Sequence, residues 1–301
     1  MSLKKSKVSP SKPDVIVPSS LPTSSNPIPI VSNVMQVSNT ITENPFIPQP
    51  LPIPIPAPIY ASYNEDSCGQ VQAETISVFI IRGTLAYLGK WPWMVGIETK
   101  TGGFCGGSLI SNQHVLTAAH CQIPVGSIVT LGQFDRSKSE PSAVKRTVIR
   151  TSIHENYNKE NFSNDISVLL LDLPVVYNRY ISPICLSETD INIADVPLTV
   201  IGWGVTEFGT VSNPLLETIV YKTNNCDFSI DSDKQYCCGS PKTSSGVCFG
   251  DSGGPLMYKN GKKWTQVGLV SFGQGSCSTD LASVYTKVVT YLPWIQSKLN
   301  K

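Results

Sequence analysis

The sequence predicts an all-β fold, a barrel or a sandwich, from about residue 80 onward. Short apolar segments recur there, and turn-forming Gly, Asn, Asp and Pro residues separate them. Only the stretch from about 291 to 298 is compatible with a helix. Clear strand candidates are 108–110, 114–118, 127–131, 166–171, 198–201 and 267–271.

The overall composition limits the size and the partners of the protein. The chain has 301 residues, of which 41% are hydrophobic, so it can bury a sizeable core in one large domain or two modest ones. Lys plus Arg number 23 and Asp plus Glu number 22, for a net charge of +1. Because nucleic-acid binders normally carry a basic excess, this balance argues against a nucleic-acid partner.

The first 58 residues differ from the rest of the chain. They hold thirteen of the 23 prolines and none of the nine cysteines. Proline occupies every second position from Pro48 to Pro58, which favours an extended polyproline II conformation. We expect a disordered spacer over residues 1–67. The alternatives are a docking strip for a proline-binding module, or a tail that itself acts as an adhesive tether.

Membrane and export signals are not visible in the sequence. No stretch approaches the roughly 18 uninterrupted apolar residues of a membrane helix, so no membrane span is predicted. Lys4, Lys5 and Lys7 resemble the basic start of a signal peptide, but no apolar stretch follows them.

The cysteines indicate an oxidising compartment. No CxxC pair occurs, which argues against a zinc ribbon or a thioredoxin-like site. Many widely spaced cysteines instead favour disulfides and an extracellular, secreted protein, whereas buried free thiols in the cytosol are the alternative. The count is odd, so one thiol is left over or pairs with another chain.

Three segments together supply the parts of a nucleophilic active site. They are Leu116-Thr-Ala-Ala-His120-Cys121, Asn164-Asp165-Ile166 and Gly250-Asp251-Ser252-Gly253-Gly254-Pro255. A serine hydroxyl needs an adjacent imidazole to take its proton, and a buried carboxylate must orient that imidazole. Glycines beside the serine let backbone N–H groups face a developing oxyanion.

These motifs, in this order, resemble the chymotrypsin-like (trypsin-fold) family of serine endopeptidases, whose mechanism is well established. Trp91-Pro92-Trp93, Gly202-Trp203-Gly204 and Val284-Tyr-Thr-Lys-Val288 also match, so the likeness covers roughly residues 80–301. The resemblance implies two antiparallel Greek-key β-barrels with a C-terminal helix. His120, Asp165 and Ser252 would be catalytic, and Gly250 and Ser252 would donate the oxyanion-hole N–H groups.

The resemblance also implies a disulfide pattern. The expected pairs are Cys68–Cys185, Cys105–Cys121, Cys226–Cys237 and Cys248–Cys277. Cys238 is left over, and exchange between Cys237 and Cys238 stays open.

Family members are made as zymogens and cleaved before an Ile-Val-Gly-Gly stretch, which corresponds here to Ile80-Ile-Arg-Gly83. Residues 68–79 would then be a pro-segment tied by Cys68, and 80–301 the protease domain. Asp251 would pair with the freed Ile80 amine. Phe79 replaces the usual basic residue before the cut, so a trypsin-like activator is not expected. An uncut, latent protein is the alternative.

Substrate preference is expected to be neutral and apolar. By resemblance, Gly246 forms the pocket floor, where a trypsin-like member has Asp, and Val247 lies beside it. Gly273 and Ser283 would be the walls, and Ser271-Phe272-Gly273 would pair with the substrate as an added strand. A pocket that accepts Phe would allow the enzyme to cut its own Phe79–Ile80 bond.

The remaining expectations concern partners and modification. Asn161-Phe162-Ser163 is a glycosylation sequon. No metal and no cofactor are predicted. The expected partners are protein or peptide substrates, an activating protease and protease inhibitors. The rival function is a non-catalytic protease homologue that acts as a binding protein or cofactor protein.

Overall fold

The computed structural model describes most of the chain after residue 83. Its contacts divide the chain into two units, Met1–Ala57 and Pro58–Lys301. The first unit, like the whole predicted tail 1–67, lies outside the described residues. The described residues are 68–71, 84–206, 209–240, 247, 250–273 and 282–299.

Strands make up most of the regular structure, as the sequence predicts. The described residues form fourteen strands, two 3-10 helices and one α-helix. The strands are β1 (Thr84–Leu85), β2 (Met94–Glu98), β3 (Phe104–Leu109), β4 (His114–Thr117), β5 (Ile128–Leu131), β6 (Val144–Ile153), β7 (Ser167–Leu171), β8 (Cys185–Leu186), β9 (Leu198–Gly202), β10 (Leu216–Lys222), β11 (Gln235–Gly239), β12 (Pro255–Asn260), β13 (Lys263–Phe272) and β14 (Ser283–Lys287).

The first barrel is closed and antiparallel. Its six strands pair in the order β2-β3-β4-β7-β6-β5, and β5 pairs back with β2. Large side chains such as Trp93, Ile97 and Leu109 are fully buried in its core. Burial of apolar surface, worth about 25 cal/mol per Å², drives this closure, and every residue of β4 is buried.

The second barrel closes in the same way from the later strands. Its path is β10-β11-β14-β13-β12-β9, and β9 pairs with β10 to complete the ring. β1 joins β10 at one edge, and β8 pairs in parallel with β13. The two antiparallel barrels confirm the predicted fold.

The C-terminal helix packs onto both barrels. A 3-10 turn, Val288–Tyr291, leads into α1 (Leu292–Leu299), close to the predicted range 291–298. Ile295 is fully buried in a cluster with Ile166 of the first barrel and Leu269 of the second. Trp294 Nε1 and Lys298 Nζ also donate to Glu155, at 2.7 and 2.6 Å. None of the helices in the described part of the chain has the length and apolar character needed to cross a bilayer.

Three disulfides tie the described part of the chain together. They join Cys68–Cys185, Cys105–Cys121 and Cys226–Cys237, the same pairs that the resemblance implies. Cys238 is a buried free thiol. The expected pair Cys248–Cys277 lies outside the described residues.

The segment around Cys68 is held by backbone bonds as well as by its disulfide. Gly69 N donates to Pro183 O, and Trp264 N donates to Gly69 O, each at 2.9 Å. Gly69 has φ +69, and a Cβ there would lie 2.1 Å from Trp264 O. Only glycine therefore fits this close approach to strand β13.

Candidate active site

His120 lies just beyond the end of strand β4. The buried residues Ala118 and Ala119 lead into a 3-10 helix, Ala119–Cys121, and Gln122 ends it in the left-handed conformation at φ 44°. The Cys105–Cys121 disulfide fixes this turn to β3. The imidazole remains partly open, since 19% of the side chain is exposed.

Asp165 provides a buried carboxylate beside that imidazole. It precedes β7 and is completely buried. Its Oδ2 lies 2.7 Å from His120 Nδ1, and its Oδ1 accepts from His120 N at 2.8 Å. A carboxylate oxygen only accepts, so this contact favours the tautomer with the proton on Nδ1. The Nε2 on the far side of the ring is then the nitrogen that can accept a proton.

A third hydrogen-bond donor contacts the Asp165 carboxylate. Ser271 Oγ donates to Asp165 Oδ2, across 106 residues of sequence. In addition, Thr286 Oγ1 donates to the main-chain oxygen of Asp165 at 2.9 Å. A buried carboxylate is costly unless hydrogen bonds satisfy it, and here donors come from both barrels. Sequence reasoning assigned Ser271 only to substrate pairing and missed this contact, for which the local sequence holds no signal.

The Ser252 loop lies where the barrels meet. Ser252 O accepts from Gly106 N of the first barrel at 2.8 Å, while Gly253 N donates to Val270 O of the second at 2.9 Å. Gly253 has φ +79, and a Cβ there would lie 2.2 Å from Thr117 Oγ1. Gly250, at φ +100, also requires glycine. These glycines allow the loop to lie flat against the first barrel.

The loop therefore lies close to the histidine turn. Cys121, the neighbour of His120, places its Sγ 3.8 Å from Ser252 O. Gly106, which donates to Ser252, follows the disulfide partner Cys105. The fold thus brings together the three segments that the sequence singled out.

Asp251 lies in a niche made by two glycines. Gly204 N donates to Asp251 Oδ1 at 2.8 Å. A Cβ at Gly202 would lie 1.9 Å from Asp251 Oδ1, and one at Gly204 would lie 2.3 Å from Oδ2. This is the physical reason for the Gly202-Trp203-Gly204 motif. The expected partner Ile80, and Phe79 before it, lie outside the described residues.

Three of the expected substrate-binding residues lie on β13 and β14, namely Ser271, Phe272 and Ser283, and Gly273 follows β13 directly. The register of these strands shifts between Val270 and Phe272, at Ser271. Gly273 faces Ser283, since a Cβ on the glycine would lie 2.9 Å from Ser283 Oγ. Val247 packs against the core of the second barrel. Gly246, the expected pocket floor, lies outside the described residues.

An aromatic cluster borders the histidine, and sequence reasoning did not find it. The rings of Phe162 and Phe272 stack with their centroids 4.9 Å apart, and Phe228 meets Phe272 edge-on at 5.1 Å. Phe162 lies 5.9 Å from the His120 ring. The three phenylalanines come from distant parts of the chain, so no sequence spacing could have revealed the cluster.

The other two histidines lie in different surroundings. His114 Nδ1 contacts Ser111 Oγ at 2.8 Å, and its Nε2 has no hydrogen-bond partner among the described residues. Burial, with a smaller contribution from Arg150, lowers the pKa of His114. His154 packs against Tyr291 and Trp294, with centroids 5.3 and 5.0 Å away.

No cluster of His, Cys, Asp or Glu suited to a metal ion occurs among the described residues. In the loop after β5, the Glu140 carboxylate accepts from Phe134 N at 2.5 Å and Asp135 N at 3.1 Å. Its oxygens therefore brace the loop's own backbone.

A comparison with protein families agrees with this geometry. The family model described as Trypsin matches residues 80–295, which is most of the chain. The match begins at Ile80, spans both barrels and ends in α1. The chain therefore belongs to the trypsin family of serine peptidases, with the chymotrypsin-like fold of two six-strand barrels.

Proposed function

We propose that the protein is a secreted serine endopeptidase, made as a zymogen, that hydrolyses peptide bonds through Ser252, His120 and Asp165. Residues 80–301 form the catalytic domain, residues 68–79 the pro-segment and residues 1–67 the tail. The observation that carries the proposal is the His120–Asp165 pair, with Nδ1 and Oδ2 2.7 Å apart and Ser271 donating to the same oxygen.

In the proposed mechanism, His120 Nε2 takes the proton of Ser252 as Oγ attacks the substrate carbonyl carbon. The N–H groups of Gly250 and Ser252 stabilise the oxyanion that forms. The protonated His120, held by Asp165, then donates its proton to the leaving amine. Water repeats the sequence on the acyl-enzyme and releases the carboxylate product.

Activation is proposed to follow cleavage of the Phe79–Ile80 bond. The freed amine of Ile80 pairs with Asp251, which immediately precedes the nucleophile. The Ile80 ammonium group would add an ion pair to a carboxylate that already accepts from Gly204 N, and this pair is proposed to order the oxyanion loop. The niche at Gly202 and Gly204 supports this role because it leaves room for the carboxylate. Cys68–Cys185 keeps the pro-segment attached.

The proposed substrates carry a neutral apolar residue before the scissile bond. The uncharged floor at Gly246 offers no counter-ion to a buried Lys or Arg, and Ser283 and Val247 narrow the pocket. The cluster of Phe162, Phe272 and Phe228 supports a second apolar contact with the substrate. Ser271-Phe272-Gly273 pairs with the substrate backbone as an antiparallel strand.

Labelling with a fluorophosphonate probe tests the proposal. We expect the probe to modify wild type cleaved before Ile80, but neither uncleaved wild type nor cleaved Ser252→Ala. The cleaved form should also hydrolyse an apolar peptide substrate. Labelling of the uncleaved chain would refute the proposal that the protein is made as a zymogen. Absence of both labelling and hydrolysis in cleaved wild type would favour the rival function, a non-catalytic homologue that binds partners.

A pocket that accepts Phe would let the enzyme cut its own Phe79–Ile80 bond and so activate itself. A pure preparation of wild type should generate the Ile80 amino terminus, whereas Ser252→Ala should not. Equal processing of the two proteins would show that another protease makes the cut.

A further inference from the structure

The single glycosylation sequon of the chain lies at the edge of the candidate active site. Among the 301 residues, Asn161-Phe162-Ser163 is the only Asn-X-Ser/Thr triplet in which X is not proline. It lies in the loop between β6 and β7, and Asp165 follows it closely. A modification here would therefore act on the cleft and not on a remote face.

The acceptor side chain is accessible in the folded protein. Asn161 is exposed, as are Asn158, Lys159 and Glu160 before it. Asn161 Oδ1 accepts from Ser163 N at 3.0 Å, and its Nδ2 donates to no described residue. A bulky substituent on Nδ2 can therefore extend into solvent without displacing a packed group.

The middle residue of the sequon points the other way. Phe162 has φ +55, a left-handed conformation that turns the chain sharply between Asn161 and Ser163. Its ring stacks on Phe272 and lies 5.9 Å from the His120 ring. The glycan acceptor is thus one residue away from the aromatic wall beside the candidate general base.

We propose that Asn161 carries an N-linked glycan that forms a rim over this side of the cleft and selects substrates by size. Asn161 Nδ2 bonds to the anomeric carbon of a lipid-pyrophosphate-linked oligosaccharide and loses one proton, and the lipid pyrophosphate leaves. The glycan is large and hydrated, so it occupies solvent above Phe162 but does not enter the apolar cluster. Short peptides pass beneath it, whereas folded proteins collide with it.

The inference rests on the proposed peptidase function and on passage through the secretory pathway. Two variants remove the acceptor site, Asn161→Gln and Ser163→Ala. Ser163→Thr is the matched control, because it alters the same residue but keeps the sequon. Ser163 N donates to the side-chain Oδ1 of Asn161, and Asn158 N donates to Ser163 O. Neither bond requires the serine hydroxyl.

The first measurement is intact mass, with each protein secreted from eukaryotic cells and analysed before and after peptide-N-glycosidase. Wild type and Ser163→Thr should lose mass on digestion, and the other two variants should not. An unchanged wild-type mass would overturn the proposal, independently of any activity.

The second measurement compares small and large ligands after cleavage before Ile80. For a short apolar peptide, kcat/KM should agree within about twofold among all four proteins. The association rate of a folded protein inhibitor should rise roughly three- to tenfold when the glycan is lost, within the range seen among variants of one interface. Equal association rates with and without the glycan would overturn the proposal that the glycan forms a rim over the cleft. If no form hydrolysed the peptide, wild type included, both the proposed peptidase function and the proposed role of the glycan would be refuted. The mass measurement would still show whether Asn161 carries a glycan.

Discussion

His114 and His120 stand at opposite ends of the same short segment, yet their surroundings differ in one decisive respect. His120 faces the buried carboxylate of Asp165, and 19% of its side chain is exposed. His114 is buried against Ser111, with no carboxylate beside it and no partner for its Nε2 among the described residues. Burial alone lowers the affinity of an imidazole for a proton.

The comparison shows what converts a histidine into a candidate base. Burial without a counter-charge lowers the pKa of an imidazole, as it does for His114. An imidazole with a fixed carboxylate on one nitrogen and access to a ligand on the other can take a proton and hold it.

Replacing the carboxylate should abolish most of the activity. Asp165→Asn keeps the shape but can donate to His120 Nδ1, which favours the wrong tautomer, so kcat should fall about 10⁴-fold. The measurement is hydrolysis of an apolar peptide by cleaved enzyme, with His114→Asn as the matched control. A loss of less than tenfold would show that Asp165 does not orient the base.

Filling the niche of Asp251 should disturb the nucleophile's loop. In Gly202→Ala, the new methyl would lie 1.9 Å from Asp251 Oδ1, so the carboxylate must move. A displacement of this kind can lower kcat/KM on the order of 10²-fold. Gly261→Asn, at an open position with φ +59, is the control and should retain wild-type kcat/KM. Unchanged kcat/KM in Gly202→Ala would contradict a role for the niche in catalysis.

Removing the donor on Asp165 should have a smaller effect. Ser271→Ala deletes one hydrogen bond to a buried charged group, and we expect kcat/KM to fall about tenfold. Because Ser271 positions the base, the pH profile of kcat/KM should also change. Ser271→Thr retains the hydroxyl and should recover most of the activity. A profile identical to that of wild type in Ser271→Ala would assign the serine to substrate pairing alone.

His114 should affect acid stability and not activity. Its folded-state pKa lies below the ordinary value of 6.5, so the unfolded chain binds a proton that the folded chain resists. Stability therefore falls as pH drops below about 6.5 and levels off below the lowered pKa. In His114→Asn, the Tm difference between pH 7.5 and pH 5 should be smaller than in wild type, with peptide hydrolysis unchanged. An equal Tm difference would contradict the neutral, buried histidine.

The smallest expected effect is on acid stability, and it comes from Glu155, the neighbour of His154. Next to His154, Lys298 is the main cause that lowers the pKa of Glu155 from 4.5 to about 2. The Glu155–Lys298 ion pair therefore adds to folding stability above pH 4.5, and this stability is lost as pH falls through about 2. Glu155→Gln should remove this acid-sensitive part, worth less than about 1 kcal/mol because the Glu155 side chain is 62% exposed. The measurement is the free energy of unfolding in urea at pH 6 and pH 3. If that free energy changed with pH as much in Glu155→Gln as in wild type, the prediction would be wrong.

The strands and the residue types of the candidate site can be predicted from the sequence alone. How the strands pair in space cannot. The short alternating segments predict the strands, and His120, Asp165 and Ser252 stand in motifs whose residue types the chemistry demands. The division into two barrels and the disulfide pairs came only from resemblance to a family, because pairings between distant strands leave no local pattern. Local patterns equally could not reveal the Ser271 contact with Asp165 or the stacking of Phe162 on Phe272.

The bond between Cys68 and Cys185 has a consequence for any chain cut between residues 72 and 83. The two pieces stay linked, so they migrate as one species without reductant and as two with it. The amino-terminal piece also keeps a one-to-one ratio with the two-barrel piece and cannot be diluted away. Any partner that bound the amino-terminal piece would therefore hold the trypsin-family domain at that place after the cut as firmly as before it.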